Sequence, residues 1–111
     1  MIIKKYIYLL LIIIYTALNK VNNSITTKKL LTTLMNKKII GKKHTPENKI
    51  IKSKTYHLNK KELKEFKEEY AYLIKNELII KQRKRTKKDF DLHISLNPRK
   101  MKEINEYIGE N

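Results

Sequence analysis

The chain has 111 residues, room for one small domain, and no cysteine, which excludes disulfide frameworks and thiolate metal sites. It contains 26 lysines and arginines against 11 acidic residues, a net charge of +15. A protein this basic is expected to bind a polyanion, either a nucleic acid or an anionic membrane surface.

The first 34 residues are predicted to form a segment apart from the rest of the chain. Lys4 and Lys5 precede an apolar run from Tyr6 to Leu18, which as a helix would be about 20 Å long, shorter than a hydrocarbon core of about 30 Å. A positive start and a run of this length are also typical of a signal peptide, although no clear cleavage site follows. Two roles are therefore predicted for residues 6–18. They contact an anionic membrane, or they form a helix used for packing or dimerisation.

A third interpretation is that residues 1–34 are not translated, because AT-rich DNA upstream of a start codon encodes the same set of amino acids. The protein then begins at Met35, and residues 35–111 are predicted to form the folded domain. If the apolar run does enter a membrane, the excess of lysines after it keeps that domain in the cytoplasm. The expected localisation is cytoplasmic, with membrane association as the alternative.

Two short helices are predicted ahead of the longest one. Leu30, Leu31 and Leu34 indicate a weakly amphipathic helix that leads into a basic connector. Thr45 and Pro46 predict the start of a second helix, because threonine caps free amides and proline fits the first helical position.

A longer amphipathic helix is predicted from Lys60 to about Lys75. Asn59 and Glu62 have the spacing of a capping box, in which each side chain bonds the backbone amide of the other residue. The core face of this helix is expected to contain Leu63, Phe66, Tyr70, Leu73 and Ile74.

A β-hairpin is predicted next, since Asn76 suits the left-handed conformation that ends a helix. Residues 78–82 are expected to form a strand and residues 83–88 a turn. The returning strand is expected to bury one face, formed by Phe90, Leu92, Ile94 and Leu96, and to expose the other, formed by Asp91, His93 and Ser95.

A closing helix is predicted to start at Asn97 and Pro98 and to end at Gly109. Its buried face is expected to contain Met101, Ile104 and Ile108. The resulting order is helix, helix, hairpin, helix, and the predicted fold class is α+β.

This order, together with two stretches of sequence, resembles winged helix-turn-helix domains. Residues 72–79 (Tyr-Leu-Ile-Lys-Asn-Glu-Leu-Ile) and 92–100 (Leu-His-Ile-Ser-Leu-Asn-Pro-Arg-Lys) are similar to the recognition-helix end, wing and closing helix of MarR-like and small uncharacterised archaeal winged-helix proteins. The resemblance extends from His44 to Ile108. It implies a winged-helix fold with a two-stranded wing, here with an extra apolar N-terminal helix.

The chain departs from the family in two respects. The family usually has a glycine near position 77, where Asn76 and Glu77 must together make the turn. A clear pair of dimerisation helices is also missing, so a homodimer stays open.

The resemblance implies that the helix from Lys60 enters the major groove with its first residues, here Lys60, Lys61 and Lys64. The alternative is a solvated helix with lysine–glutamate pairs. Four carboxylates of this helix would repel phosphate if they faced it: Glu62, Glu65, Glu68 and Glu69.

The predicted wing carries six cations with no acid between them: Lys81, Arg83, Lys84, Arg85, Lys87 and Lys88. Their mutual repulsion favours an anionic partner, and each phosphate contact releases counterions. The alternative is an exposed basic loop without a ligand. Phosphate binding is expected rather than base reading, because the first two turns of the recognition helix contain no Asn or Gln.

No catalytic set of residues is predicted. The histidines are far apart in the sequence, and Asp91 with His93 is the only pair that could share a metal ion. With two glycines, the chain has no phosphate-cradling loop. We expect no catalytic residue, metal or cofactor.

The sequence therefore predicts a non-catalytic nucleic-acid-binding protein of the transcription-regulator type, with DNA favoured over RNA. One alternative is a small basic protein held at a membrane by its N-terminal helix. Another is a winged-helix module that binds a protein.

Overall fold

The computed structural model describes residues 4, 6–14, 25–85 and 90–109. From residue 25 onward the fold is mixed α+β, as predicted, with helices packed against a three-stranded antiparallel sheet. A 3-10 turn, Pro98–Lys100, joins the last strand to the last helix. The helices are α1 (Ile25–Asn36), α2 (Glu47–Thr55), α3 (Lys60–Lys75) and α4 (Met101–Ile108), and the strands are β1 (Thr45–Pro46), β2 (Ile79–Arg85) and β3 (Phe90–Leu96).

The sheet has the order β1-β3-β2, so β3 pairs with both neighbours. The sequence predicts only the hairpin of β2 and β3, and β1 is an addition. Thr45, predicted as a helix cap, lies opposite Ile94 in β1, and α2 begins at Glu47 without a side-chain cap. Pro46 is tolerated because β1 is an edge strand, where a missing amide need not break the sheet ladder.

The core lies between the sheet and the helices. In α3 most of the predicted face points inward, with Phe66 and Leu73 only 2% and 0% exposed and Tyr70 and Ile74 packed against the core. Leu63, also predicted for this face, is not part of the core. Ile104 is buried in the closing helix α4, which ends at Gly109 as predicted, with Gly109 in the left-handed conformation. The predicted start at Asn97 and Pro98 is instead a 3-10 turn, and α4 begins at Met101. The other core side chains are Leu30, Leu31, Leu34, Ile39, Ile50, Leu78, Ile79, Ile94 and Leu96.

The predicted boundary between residues 34 and 35 falls inside α1. A domain that began at Met35 would lack Leu30, Leu31 and Leu34, each of which is 0% exposed. These three leucines are sufficient to anchor a short helix because α1 packs against α2, α3, α4 and β3 at once. The folded unit therefore includes residues from Ile25 onward.

Local sequence sets both ends of α3. The Glu62 amide donates to Asn59 Oδ1 at 2.8 Å and the Asn59 amide donates to Glu62 Oε1 at 3.2 Å, so the predicted capping box is confirmed. At the other end the left-handed residue is Glu77, with φ 62°, and not Asn76, with φ −90°. Asn76 instead donates from its side-chain amide to the Tyr72 carbonyl at 2.9 Å.

The hairpin is longer than predicted, because β2 continues to Arg85 and pairs there with Phe90. Arg83 and Lys84 consequently lie in a strand and not in a turn, and residues 86–89 lie outside the described part of the chain. Phe90 and Leu92 are 54% and 41% exposed, contrary to prediction. The helices do not cover this outer part of the hairpin.

The inner part of β3 is buried on both faces, which the alternating pattern does not predict. His93 is 9% exposed because it packs against the ring of His44, and Ser95, at 0%, lies opposite Ile80.

The N-terminal helical segment comprises residues 6–14, and Lys4 is also helical. Its nine apolar side chains, from Tyr6 to Ile14, are 46% to 67% exposed. Within the described residues, no helix has the length and apolar character needed to cross a membrane. The remainder of the predicted apolar helix, through Leu18, lies outside the described residues.

Candidate nucleic-acid interface

Lysines form an exposed row along α3. Successive helical residues are 100° apart, so Lys60, Lys64, Lys67 and Lys75 fall within an arc of about 80°, beside the core face on its Leu63 and Ile74 side. Lys61 is exposed on the flank of this row. A shallow depression on this side is lined by Lys60, Leu63, Lys64, Lys67, Glu68 and Ala71. The predicted Lys60 and Lys64 thus line the same depression.

Two of the four carboxylates in α3 are used inside the domain. Glu62 closes the capping box. Glu69 accepts a hydrogen bond from Thr27 Oγ1 at 2.7 Å and another from the Tyr107 hydroxyl, which links α1, α3 and α4. Burial, followed by the bond to Glu69, raises the pKa of Tyr107, so this hydroxyl stays protonated. Glu69 is thus withdrawn from the surface, whereas the exposed Glu62 and Glu68 keep charges that would oppose phosphate on this helix.

Lys81 is tied to the helices. Its Nζ lies 3.0 Å from Glu47 Oε2, and the same oxygen accepts a hydrogen bond from the Tyr70 hydroxyl at 2.6 Å. Burial, and then the contact with Glu47, raise the pKa of Tyr70, which keeps this donor protonated. The position of Lys81 therefore favours a role in holding β2 against α2 and α3, and its charge is already compensated.

Three further wing cations are exposed in β2. Arg83 and Arg85 lie on one face of the strand and Lys84 on the other, because side chains alternate along a strand. The Arg83 guanidinium carbon is 5.1 Å from the centre of the Phe90 ring, a cation–π distance.

The face that carries Arg83 and Arg85 is the helical side of the sheet. Lys81, two residues before Arg83, meets α2 on that same face. The two arginines therefore extend the helical side of the domain outward along the wing. The predicted Lys87 and Lys88 lie outside the described residues.

His44 and His93, 49 residues apart in the chain, form a pair that sequence spacing does not indicate. Their Nδ1 atoms are 2.8 Å apart and their rings meet edge to face. Burial lowers the pKa of His93, and the nearby His44 and Lys84 lower it further. Asp91 acts in the opposite direction and raises this pKa. The partner of His93 is thus another imidazole, and the described residues contain no group of three metal-ligating side chains.

The structure adds two surface residues to the predicted set. Lys75 extends the lysine row, and helical periodicity alone could have identified it. Tyr56 is 83% exposed where α2 ends, four residues before α3 begins. No sequence signal marks Tyr56, because its exposure depends on how α2 and α3 pack.

Comparisons of the chain with protein-family models, with curated proteins and with solved structures gave no match.

Proposed function

We propose that residues 25–109 form a winged-helix domain that binds nucleic acid without catalysis, with DNA as the preferred partner. The observation that carries this proposal is the row of exposed lysines along one side of α3. Lys60, Lys64 and Lys67 line one depression with a single carboxylate, Glu68, and Glu69 is held inside the domain by Thr27 and Tyr107. This side of α3 therefore presents an excess of positive charge to an approaching polyanion.

The order of elements supports the same function. A capped helix, α3, is followed directly by a hairpin and a closing helix, which is the layout of winged-helix proteins. In this arrangement the first turns of α3, with Lys60, Lys61 and Lys64, enter the major groove. Arg83, Lys84 and Arg85 of the wing then contact the phosphates beside the groove.

The binding expected from this surface is governed by phosphate contacts. Lysine and arginine side chains dominate it, and the first two turns of α3 have no Asn or Gln to read an adenine edge. Affinity should therefore depend steeply on salt and weakly on sequence.

The test is a fluorescence anisotropy titration of duplex DNA, single-stranded DNA and structured RNA across a salt series. Replacing Arg83, Lys84 and Arg85 together by alanine is expected to weaken duplex binding by about tenfold or more at low salt. The slope of log Kobs against log salt should become shallower by up to about 3, since each lost phosphate contact removes about 0.9.

A matched control removes the same charge elsewhere. Lys29, Lys37 and Lys102 are exposed on or beside α1 and on α4, and replacing these three by alanine should leave the salt slope unchanged. If both triple variants lose affinity equally, the net charge and not the wing is responsible. If the full chain binds none of the three nucleic acids, the proposal is wrong.

A further inference from the structure

The N-terminal helical segment, residues 6–14, exposes apolar side chains in every direction. Nine successive residues at 100° intervals cover the whole circumference of a helix, and here all nine are apolar and at least 46% exposed. The core and the side chains packed against it all come from residues 30–108. Among the described residues, the folded domain therefore leaves these side chains largely exposed.

A second copy of the chain would leave most of this surface in water. Pairing of two helices buries one stripe along each helix, and the stripe must be apolar while the remaining sides are polar. This segment has no polar side. An apolar medium that surrounds the helix fits it better than a partner that contacts one face.

The residues at the start of the segment fit the surface of a bilayer. Lys4 is exposed two residues before the apolar run, and Tyr6 and Tyr8 are 63% and 67% exposed. Lysine binds anionic headgroups, and tyrosine is enriched at the level of the headgroups. Leucine and isoleucine occupy the rest of the segment, from Leu9 to Ile14.

The charge of the chain around this segment adds to the attraction. Residues 1–55 contain twelve lysines and one acidic residue, Glu47, which is itself paired with Lys81. Basic residues close to an apolar anchor strengthen its binding to anionic lipid. Nine helical residues are about 14 Å long, about half of the hydrocarbon thickness, so contact with one leaflet is sufficient.

We propose that residues 6–14 insert into the surface layer of an anionic lipid bilayer and hold the folded domain there.

The test is flotation of the full chain with vesicles of phosphatidylcholine alone and of phosphatidylcholine with phosphatidylserine. The protein should float with both and more strongly with the anionic vesicles. Single substitutions Leu9→Gln, Leu10→Gln and Leu11→Gln sample three sides of the helix, and each should weaken binding to a similar degree, by roughly tenfold. Ile25→Gln, which alters an exposed aliphatic residue outside the segment, should have no effect.

Two results would overturn the proposal. One is a wild-type chain that does not float with the anionic vesicles. The other is a loss confined to one of the three glutamine variants, together with a concentration-dependent dimer in sedimentation, because that pattern indicates a second copy. The variant with Arg83, Lys84 and Arg85 replaced should still float with neutral vesicles, so the lipid and nucleic-acid proposals can fail separately.

Discussion

Glu77 carries backbone strain at the turn from α3 into β2. Its φ is 62°, a backbone conformation that costs a residue with a side chain about 1–2 kcal/mol. The turn is held by a hydrogen bond of 2.8 Å that the Asn97 side chain donates to the Glu77 carbonyl. We expect Glu77→Gly to raise the free energy of unfolding by about 1 kcal/mol, measured by urea denaturation. Glu77→Ala removes the same charge but keeps the strain, and an equal gain from it would contradict this explanation.

The histidine pair makes stability depend on pH. Because burial and the neighbouring His44 and Lys84 lower the pKa of His93, the folded state binds fewer protons than the unfolded chain, whose histidine pKa is about 6.5. The free energy of unfolding should be highest above about pH 6.5 and should fall as the pH drops through the lowered pKa. The loss is about 1.4 kcal/mol for each unit by which the pKa is lowered.

Urea denaturation between about pH 5 and pH 7.5 tests this dependence. His93→Asn removes the titrating group and keeps a polar atom near Nδ1, so the stability of this variant should vary less with pH than that of the wild type. His57→Asn alters an exposed histidine and should keep the wild-type profile. A His93→Asn profile as steep as the wild type would show that other groups cause the dependence.

At the scale of elements, α3 and α1 differ in how well their sequences predict them. The bounds of α3 follow from one capping box and a regular apolar spacing, and they are confirmed. Four of the five residues predicted for its core face reach the core, whereas Leu63 lines the surface depression. The sequence of α1 has a weak pattern, and its importance comes from its position between other elements. Its Thr27 also bonds Glu69 and Tyr107, which lie 42 and 80 residues away.

Removal of α1 should therefore unfold the domain. A chain that begins at Ile25 should keep its fold, whereas one that begins at Met35 loses three buried leucines. Each buried leucine contributes about 2–5 kcal/mol by comparison with alanine, so the sum approaches the total stability of about 5–15 kcal/mol. Circular dichroism during thermal unfolding should show a cooperative transition only for the longer chain.

The full-length variant Leu31→Ala provides the control for this deletion. It should fold and lose about 2–5 kcal/mol of unfolding free energy, because one cavity does not remove the helix. Equal melting curves for the chains beginning at Ile25 and at Met35 would mean that α1 is dispensable.

For the molecule as a whole, the positions of the charged side chains bear more on anion binding than the net charge does. The acids that could oppose an anionic partner are partly used inside the domain, where Glu47 pairs with Lys81 and Glu69 accepts from Tyr107. The exposed lysines of α3 and the arginines of the wing are left for a ligand. The apolar N-terminal segment lies outside the core, so the lipid and nucleic-acid proposals can be tested by separate substitutions.

The sequence by itself determined the α+β class, the bounds of α3 and the closing helix with Gly109, because caps, turns and helical periodicity act between residues a few positions apart. It also pointed to the cations of α3 and the wing. Only the tertiary structure decided that Leu30, Leu31 and Leu34 belong to the core and that Thr45 joins a third strand. It likewise decided that His44 meets His93, because such contacts join residues far apart in the chain, and no local pattern encodes which distant segments pack together.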